Sequence, residues 1–133
     1  CQMNHKILEA DSEYIKVIGD AQNLEQDHLA FTGIVNHKPI FAAGYKIFWG
    51  NVAECWLIAT NEMSNYSLSV AKIIKKDFAR IAKENKLQRV QTSIRKDFKE
   101  GIRFAEWLGL EREGLMKNWG FDGSDQYLYA RIF

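Results

Sequence analysis

The sequence predicts one α+β domain over residues 1–133, with a central mixed, mostly antiparallel sheet and helices on both faces. Three observations carry this prediction. After residue 28, β-rich runs alternate with tight turns. A strand–helix–strand unit follows in the middle of the chain. A second helix then stops at a glycine and leads into a closing hairpin. A strand–helix–strand unit requires a right-handed crossover and parallel pairing of its two strands. Antiparallel neighbours on either side make the sheet mixed.

In chain order, the N-terminal 28 residues carry the weakest pattern. Ile7-Leu8 starts an edge strand, and Asp11 to Ile18 reads as a short helix behind the cap pair Asp11-Ser12. Leu29 to Val35 is a strand. Asn36-His37-Lys38-Pro39, holding the single proline, is a turn, and Ile40 to Trp49 is the hairpin partner. Gly50-Asn51 turns the chain again into Ala53–Thr60, completing a three-strand meander. Asn61 to Ser69 is a polar loop. From Val70, the residues Val70, Ile73, Ile74, Phe78, Ile81 and Ala82 follow helical spacing until Asn85-Lys86. Arg89–Ile94 is a short strand. Lys96–Leu108 is a helix with Phe98, Ile102, Ala105 and Leu108 as its stripe and Gly109 behind it. Gly114–Trp119 and Gln126–Phe133 flank the turn Gly120–Asp125.

Bulk composition excludes several classes. With 47% hydrophobic and 26% charged residues, the chain is globular and able to bury one core. The net charge of +1 gives no global field for nucleic acid. The basic residues of the first helix, among them Lys72, Lys75, Lys76 and Arg80, are interrupted by Asp77 and Glu84 and read as a solvated face. Two cysteines, Cys1 and Cys55, make neither a disulfide framework nor a metal cluster. No apolar run reaches the length of a membrane span, and residues 1–20 lack the layout of a signal peptide. The chain opens at Cys1, by removal of an initiator Met or by trimming, and the expected location is the cell interior.

The order of elements resembles the GNAT fold of acetyl-CoA-dependent N-acyltransferases over roughly residues 28–133. Arg103–Gly114, containing Leu108-Gly109-Leu110-Glu111, is similar to that family's helix, its "lGFe" step and the strand after it; Gln126–Ile132 is similar to its last strand. Glu54–Glu62 resembles the corresponding strand of a GNAT-like group of tailed phages, which includes the internal-core (internal virion) proteins of T7-like phages.

This resemblance implies an acetyl-CoA site at the junction of the third meander strand and the long helix, with no metal. The family holds the cofactor pyrophosphate on a Q/R-x-x-G-x-G/A turn, where glycines let the backbone approach and the helix N-terminus binds negative charge. Tyr66, Ser69 and Ala71 fall at the motif positions, so the expected Gln or Arg and the glycines are replaced. Ile58 and Thr60 on the strand, the amides of Ser67 to Val70, Ala71 and the nearby Lys72 complete the implied cofactor set. Read without the family, Ser67 or Ser69 simply caps an amphipathic helix.

The family's general acid, a Tyr on the last helix, is also replaced. Alignment on Leu108-Gly109-Leu110 puts Ala105 there, and Phe98 or Asp97 near the family's Asn. Acyl transfer to an amine needs a group that takes the ammonium proton. Glu54, at the start of the cofactor-type strand, is the candidate by position, against the plainer reading of a charged strand end. Cys55 has no His near it in sequence and reads as structural.

Two functions stay open. One is an acyl-CoA-dependent N-acetyltransferase of phage type with a degenerate cofactor motif, acting on an amine acceptor. The other is a non-catalytic GNAT-fold phage protein of virion assembly or host interaction, with a homodimer or virion proteins as partners. The resemblance then places the protein in the host cytoplasm or virion interior. An open cleft beside Thr60 favours the enzyme; a cleft filled by Tyr66 or Met63, with an exposed Trp patch, favours the scaffold.

Overall fold

The computed structural model describes residues 5–10, 15–20, 28–59 and 67–133. Its strands are β1 (His5–Ala10), β2 (Ile15–Asp20), β3 (His28–Val35), β4 (Lys38–Trp49), β5 (Val52–Ala59), β6 (Arg89–Arg95), β7 (Glu111–Met116) and β8 (Gln126–Ile132). Its helices are α1 (Ser67–Glu84) and α2 (Lys99–Trp107). Among the described residues the strands form one eight-stranded sheet in the order β1-β2-β3-β4-β5-β6-β8-β7. Every pair is antiparallel except β5 with β6. The α+β class and the mixed, mostly antiparallel sheet are therefore as the sequence predicts.

Turn chemistry fixes the meander. Asn36 and His37 both take positive φ, 49° and 65°, the combination that lets a two-residue loop follow the strand twist. Lys38 and Pro39, expected in that turn, instead open β4. Pro39 pairs with Ile34 of β3, while the β5 ladder along β4 begins only at Phe41, so its missing N–H leaves no gap. At the N-terminus the edge strand forms around Ile7-Leu8. The helix expected over Asp11–Ile18 does not: Ile15 to Ile18 belong to β2, and residues 11–14 lie outside the described residues. Ile15, Val17 and Ile18 are β-branched, and ladders to β1 and β3 on both sides outweigh a local cap signal.

Helix α1 starts three residues before the expected Val70, and α2 starts at Lys99, not Lys96. Lys96 instead donates its N–H to the Asp125 carbonyl at 3.1 Å, and the Phe98 N–H donates to Arg95 at 3.0 Å, a turn that delays the helix. At its other end Gly109, with φ 92°, allows the Leu110 N–H to reach the Ala105 carbonyl at 3.0 Å. The chain is thus reversed at once, and β7 begins at Glu111, ahead of the expected Gly114.

The two described helices cover the same face of the sheet, so the expectation of helices on both faces is not met among the described residues. The Tyr45 hydroxyl donates to the Phe78 carbonyl of α1 at 2.6 Å, and the Tyr129 hydroxyl donates to Glu106 of α2 at 3.3 Å. Tyr45 is opposite Cys55, and Tyr129 opposite Thr92, on neighbouring strands, so the two tyrosines share a face. Right-handed crossovers stepping the same way along a sheet must do this. Between helices and sheet lies one core that includes Ile40, Tyr45, Ala53, Val70, Val90 and Tyr129, each at most 1% exposed. Burying such side chains contributes roughly 1.5–3 kcal/mol apiece before chain entropy is counted.

A cavity in a splayed sheet

Strands β5 and β6 run together for only three residues. Val52, Ala53 and Glu54 pair with Arg89, Val90 and Gln91; beyond them Cys55–Ala59 pair with β4 alone, and Thr92–Arg95 with β8 alone. The closed end is stitched by the Asn51 carbonyl, which accepts from the N–H groups of Gln88 and Arg89 at 2.8 and 3.1 Å. Past it, two strand edges face one another without a ladder.

A cavity of about 320 Å³ fills this gap. Its strand walls are Tyr45, Cys55, Trp56 and Leu57 on one side and Thr92 to Arg95 on the other; Ile74 and Phe78 of α1 and Phe98, Phe104 and Ala105 of α2 form the back. The lining is chiefly apolar, with polar groups confined to strand edges and mouth, as in small-molecule sites generally. Gly44 is needed there: a Cβ would stand 2.2 Å from the Leu29 carbonyl oxygen and 2.9 Å from the Trp56 ring. At the rim Arg95 is held by Asp97 at 3.4 Å and Asp122 at 3.2 Å.

No group in the lining is poised as an acid or nucleophile. Burial pushes the Cys55 thiol up to about 12, outweighing the Thr92 hydroxyl that favours its anion, so it stays a neutral thiol. Burial also raises Tyr45 far above the ordinary phenol range, and its proton is committed to Phe78. Among the described residues no group of three or more His, Cys, Asp or Glu is placed to hold a metal.

The expected site residues divide. Thr60 and Tyr66 lie outside the described residues, as does Met63. Ser67 opens α1, with Ser69 half-buried, Ala71 half-buried and Lys72 exposed on its first turns. That first turn contains no acidic residue. Val70 is a core side chain, at 0% exposure, and only its main chain is available to a ligand. Ile58 is 67% exposed. None of Ile58, Ser69, Val70, Ala71 or Lys72 lines the cavity, whose α1 wall begins a turn later at Ile74. Glu54 is half-buried at the last paired position, the apex of the splay, and is not a lining residue. Ala105 does line it, at 6% exposure, where the family alignment expects the acid. Residue reading passed over Trp56, Thr92, Arg95 and Phe104. Alternation along β5 and β6 was the available signal for the strand residues among them.

No family model matches the chain, and no curated protein matches it. Solved structures do. It superposes on a GNAT-family acetyltransferase from Streptococcus pneumoniae with a TM-score of 0.71 at 11% identity, covering 80% of this chain and 67% of that one.

The chain has the GNAT fold.

A ribosomal-protein-S5-alanine acetyltransferase from Vibrio fischeri gives a TM-score of 0.70 at 17% identity, over 80% of this chain and 62% of that one. RimL, a ribosomal L7/L12 α-N-protein acetyltransferase in complex with coenzyme A, gives 0.69 at 14%, over 80% and 62%. This chain therefore spans about two thirds or less of the length of these GNAT-fold proteins. The splay between β5 and β6, which the resemblance implied, is present. No helix among the described residues is long and apolar enough to cross a membrane.

Proposed function

We propose that this protein is an acyl-CoA-dependent N-acyltransferase whose donor arm enters the gap between β5 and β6. The observation that carries this is the cavity itself: an apolar slot open between two unpaired strand edges, in a chain whose structural neighbours include a coenzyme A complex. The residues present fit such a group. The amides and carbonyls that alternate residues of Cys55–Leu57 and Thr92–Ile94 turn away from β4 and β8 would hold a chain of alternating amides as a strand would. The first-turn amides of Ser67 to Val70 would take a pyrophosphate, and Lys72 adds a cation beside them. Acyl-CoA, when bound, supplies an activated thioester and a thiolate leaving group.

The chain's own contribution is binding and orientation. Phe98, Phe104 and Ala105 exclude water from the slot, and the neutral Cys55 does not compete as a nucleophile. With Ala105 in place of a tyrosine, the leaving thiolate takes its proton from water. Glu54, at the apex, accepts the acceptor's ammonium proton through water in this reading. The amine acceptor, and a phage-type role resting on the likeness of Glu54–Glu62, belong to the proposal as well.

The scaffold reading has its own support in Ala105 and in the exposed Trp49 and Trp119, 70% and 63% accessible. Calorimetric titration with acetyl-CoA decides between them. Micromolar binding lost in Ser69→Glu is expected for the enzyme, and Glu54→Gln should then lower turnover without weakening binding. No heat at millimolar acetyl-CoA would sink the enzyme reading and direct attention to virion proteins or a second copy of the chain.

A further inference from the structure

Helix α2 has two working faces. Phe98, Gly101, Phe104 and Ala105 look into the splay cavity, whereas Lys99, Ile102 and Arg103 look the other way, toward the edge strand β7. There they form a second concavity of about 410 Å³ with Lys96, Arg112 and Tyr127. Four cations line it and no carboxylate does. In a chain of net charge +1, that is a local concentration of charge.

We propose that this groove is a binding site for a compact, multiply charged phosphate ligand. Arg112 is its fixed element. Its guanidinium stacks 3.8 Å from the centre of the Tyr127 ring, and its Nε donates to the Tyr129 hydroxyl at 3.1 Å. Tyr129 is fully buried and anchored in turn to Glu106 at 3.3 Å. The guanidinium is thus oriented before any ligand arrives, with both terminal nitrogens left for a bidentate oxyanion. Lys96, Lys99 and Arg103 have no carboxylate partner among the described residues and stand around it as mobile charges.

Compactness follows from the size of the groove, about 410 Å³ behind six lining residues, which opposes only a few adjacent negative charges. The face of Tyr127 is already taken by Arg112, which removes the platform that a stacked base would use.

The test is calorimetric titration of the full chain with inorganic tripolyphosphate at low salt. One saturable site is expected. Arg112→Gln and the double change Lys99→Gln/Arg103→Gln should each weaken it by about 10-fold, the effect of one or two charge-assisted hydrogen bonds. Ser69→Glu, at the N-terminus of α1, should leave it unchanged. The helix-surface double variant keeps the test sound if Arg112→Gln disturbs the tyrosines. Absence of saturation at millimolar tripolyphosphate, indifference to both variants, or loss in Ser69→Glu would each overturn the site. So would a single-stranded oligonucleotide that binds tighter than tripolyphosphate and is lost in the double variant. Because Ser69→Glu acts only on the acyl-CoA reading, failure of one proposal leaves the other standing.

Discussion

The two ends of the β5–β6 seam are made from similar residues and do opposite things. At the closed end Ala53 and Val90 are fully buried, and the backbone ladder plus the Asn51 carbonyl hold the strands in register. One or two residues further on, Cys55, Trp56, Thr92 and Ser93 are only half-buried, and each strand turns to its outer neighbour for hydrogen bonds. Side-chain chemistry does not open the cavity; loss of the ladder does. The polar strand edges so exposed are what an extended ligand needs.

The sharpest way to break the contrast is to put the same charge at both ends. Val90→Asp buries an unpaired carboxylate where exposure is 0% and should cost at least about 4 kcal/mol, enough to unfold much of the protein. Ser93→Asp, on the half-buried cavity wall, should cost under about 1.5 kcal/mol by urea denaturation while abolishing acetyl-CoA binding. Equal losses at the two positions would mean that the seam is packed uniformly. A smaller effect is expected from Tyr45→Phe, which leaves the Phe78 carbonyl without its partner: about 1–3 kcal/mol, with the cavity kept.

Least is expected of Cys55 at neutral pH, because its thiol holds the proton there. A thiol of ordinary value, near 9.0, ionises in the unfolded chain first, while the folded thiol waits until about 12. The folded state then binds more protons, so stability should fall as pH rises from about 9 toward 12. Cys55→Ser in a Cys1→Ser background should flatten the slope between about 9 and 10, above which the raised Tyr45 phenol adds its own. Rapid alkylation of Cys55 at pH 7 would contradict a thiol that keeps its proton.

What the sequence made legible was what local chemistry controls. The Asn36-His37 turn, the 3.6-residue stripe from Val70 to Ala82 and the stop at Gly109 each depend on a few adjacent residues. The strand–helix–strand order fixed the parallel pair. Less legible was whatever depends on distant neighbours. Ile15–Ile18 followed a helix cap in sequence but found two strands in space. Val70, by contrast, went to the core as its place in the stripe predicted, which leaves only its main chain for a ligand. The basic groove was hidden since Lys96, Lys99, Arg103 and Arg112 come from a turn, a helix and a strand, with no shared motif. The cavity was implied only by family likeness, for no residue announces where a ladder stops.

The short seam also has a mechanical meaning. The sheet is two antiparallel ribbons, β1–β5 and β6–β8–β7, joined like the arms of a clothes-peg by three residue pairs and one shared carbonyl. Prising the open arms apart breaks no ladder bond, since none spans them. Resistance comes from α1 and α2 lying across the back, tied where Lys75 sits 4.6 Å over the Trp107 ring. The helices are the spring, and the three pairs at the apex are the pivot.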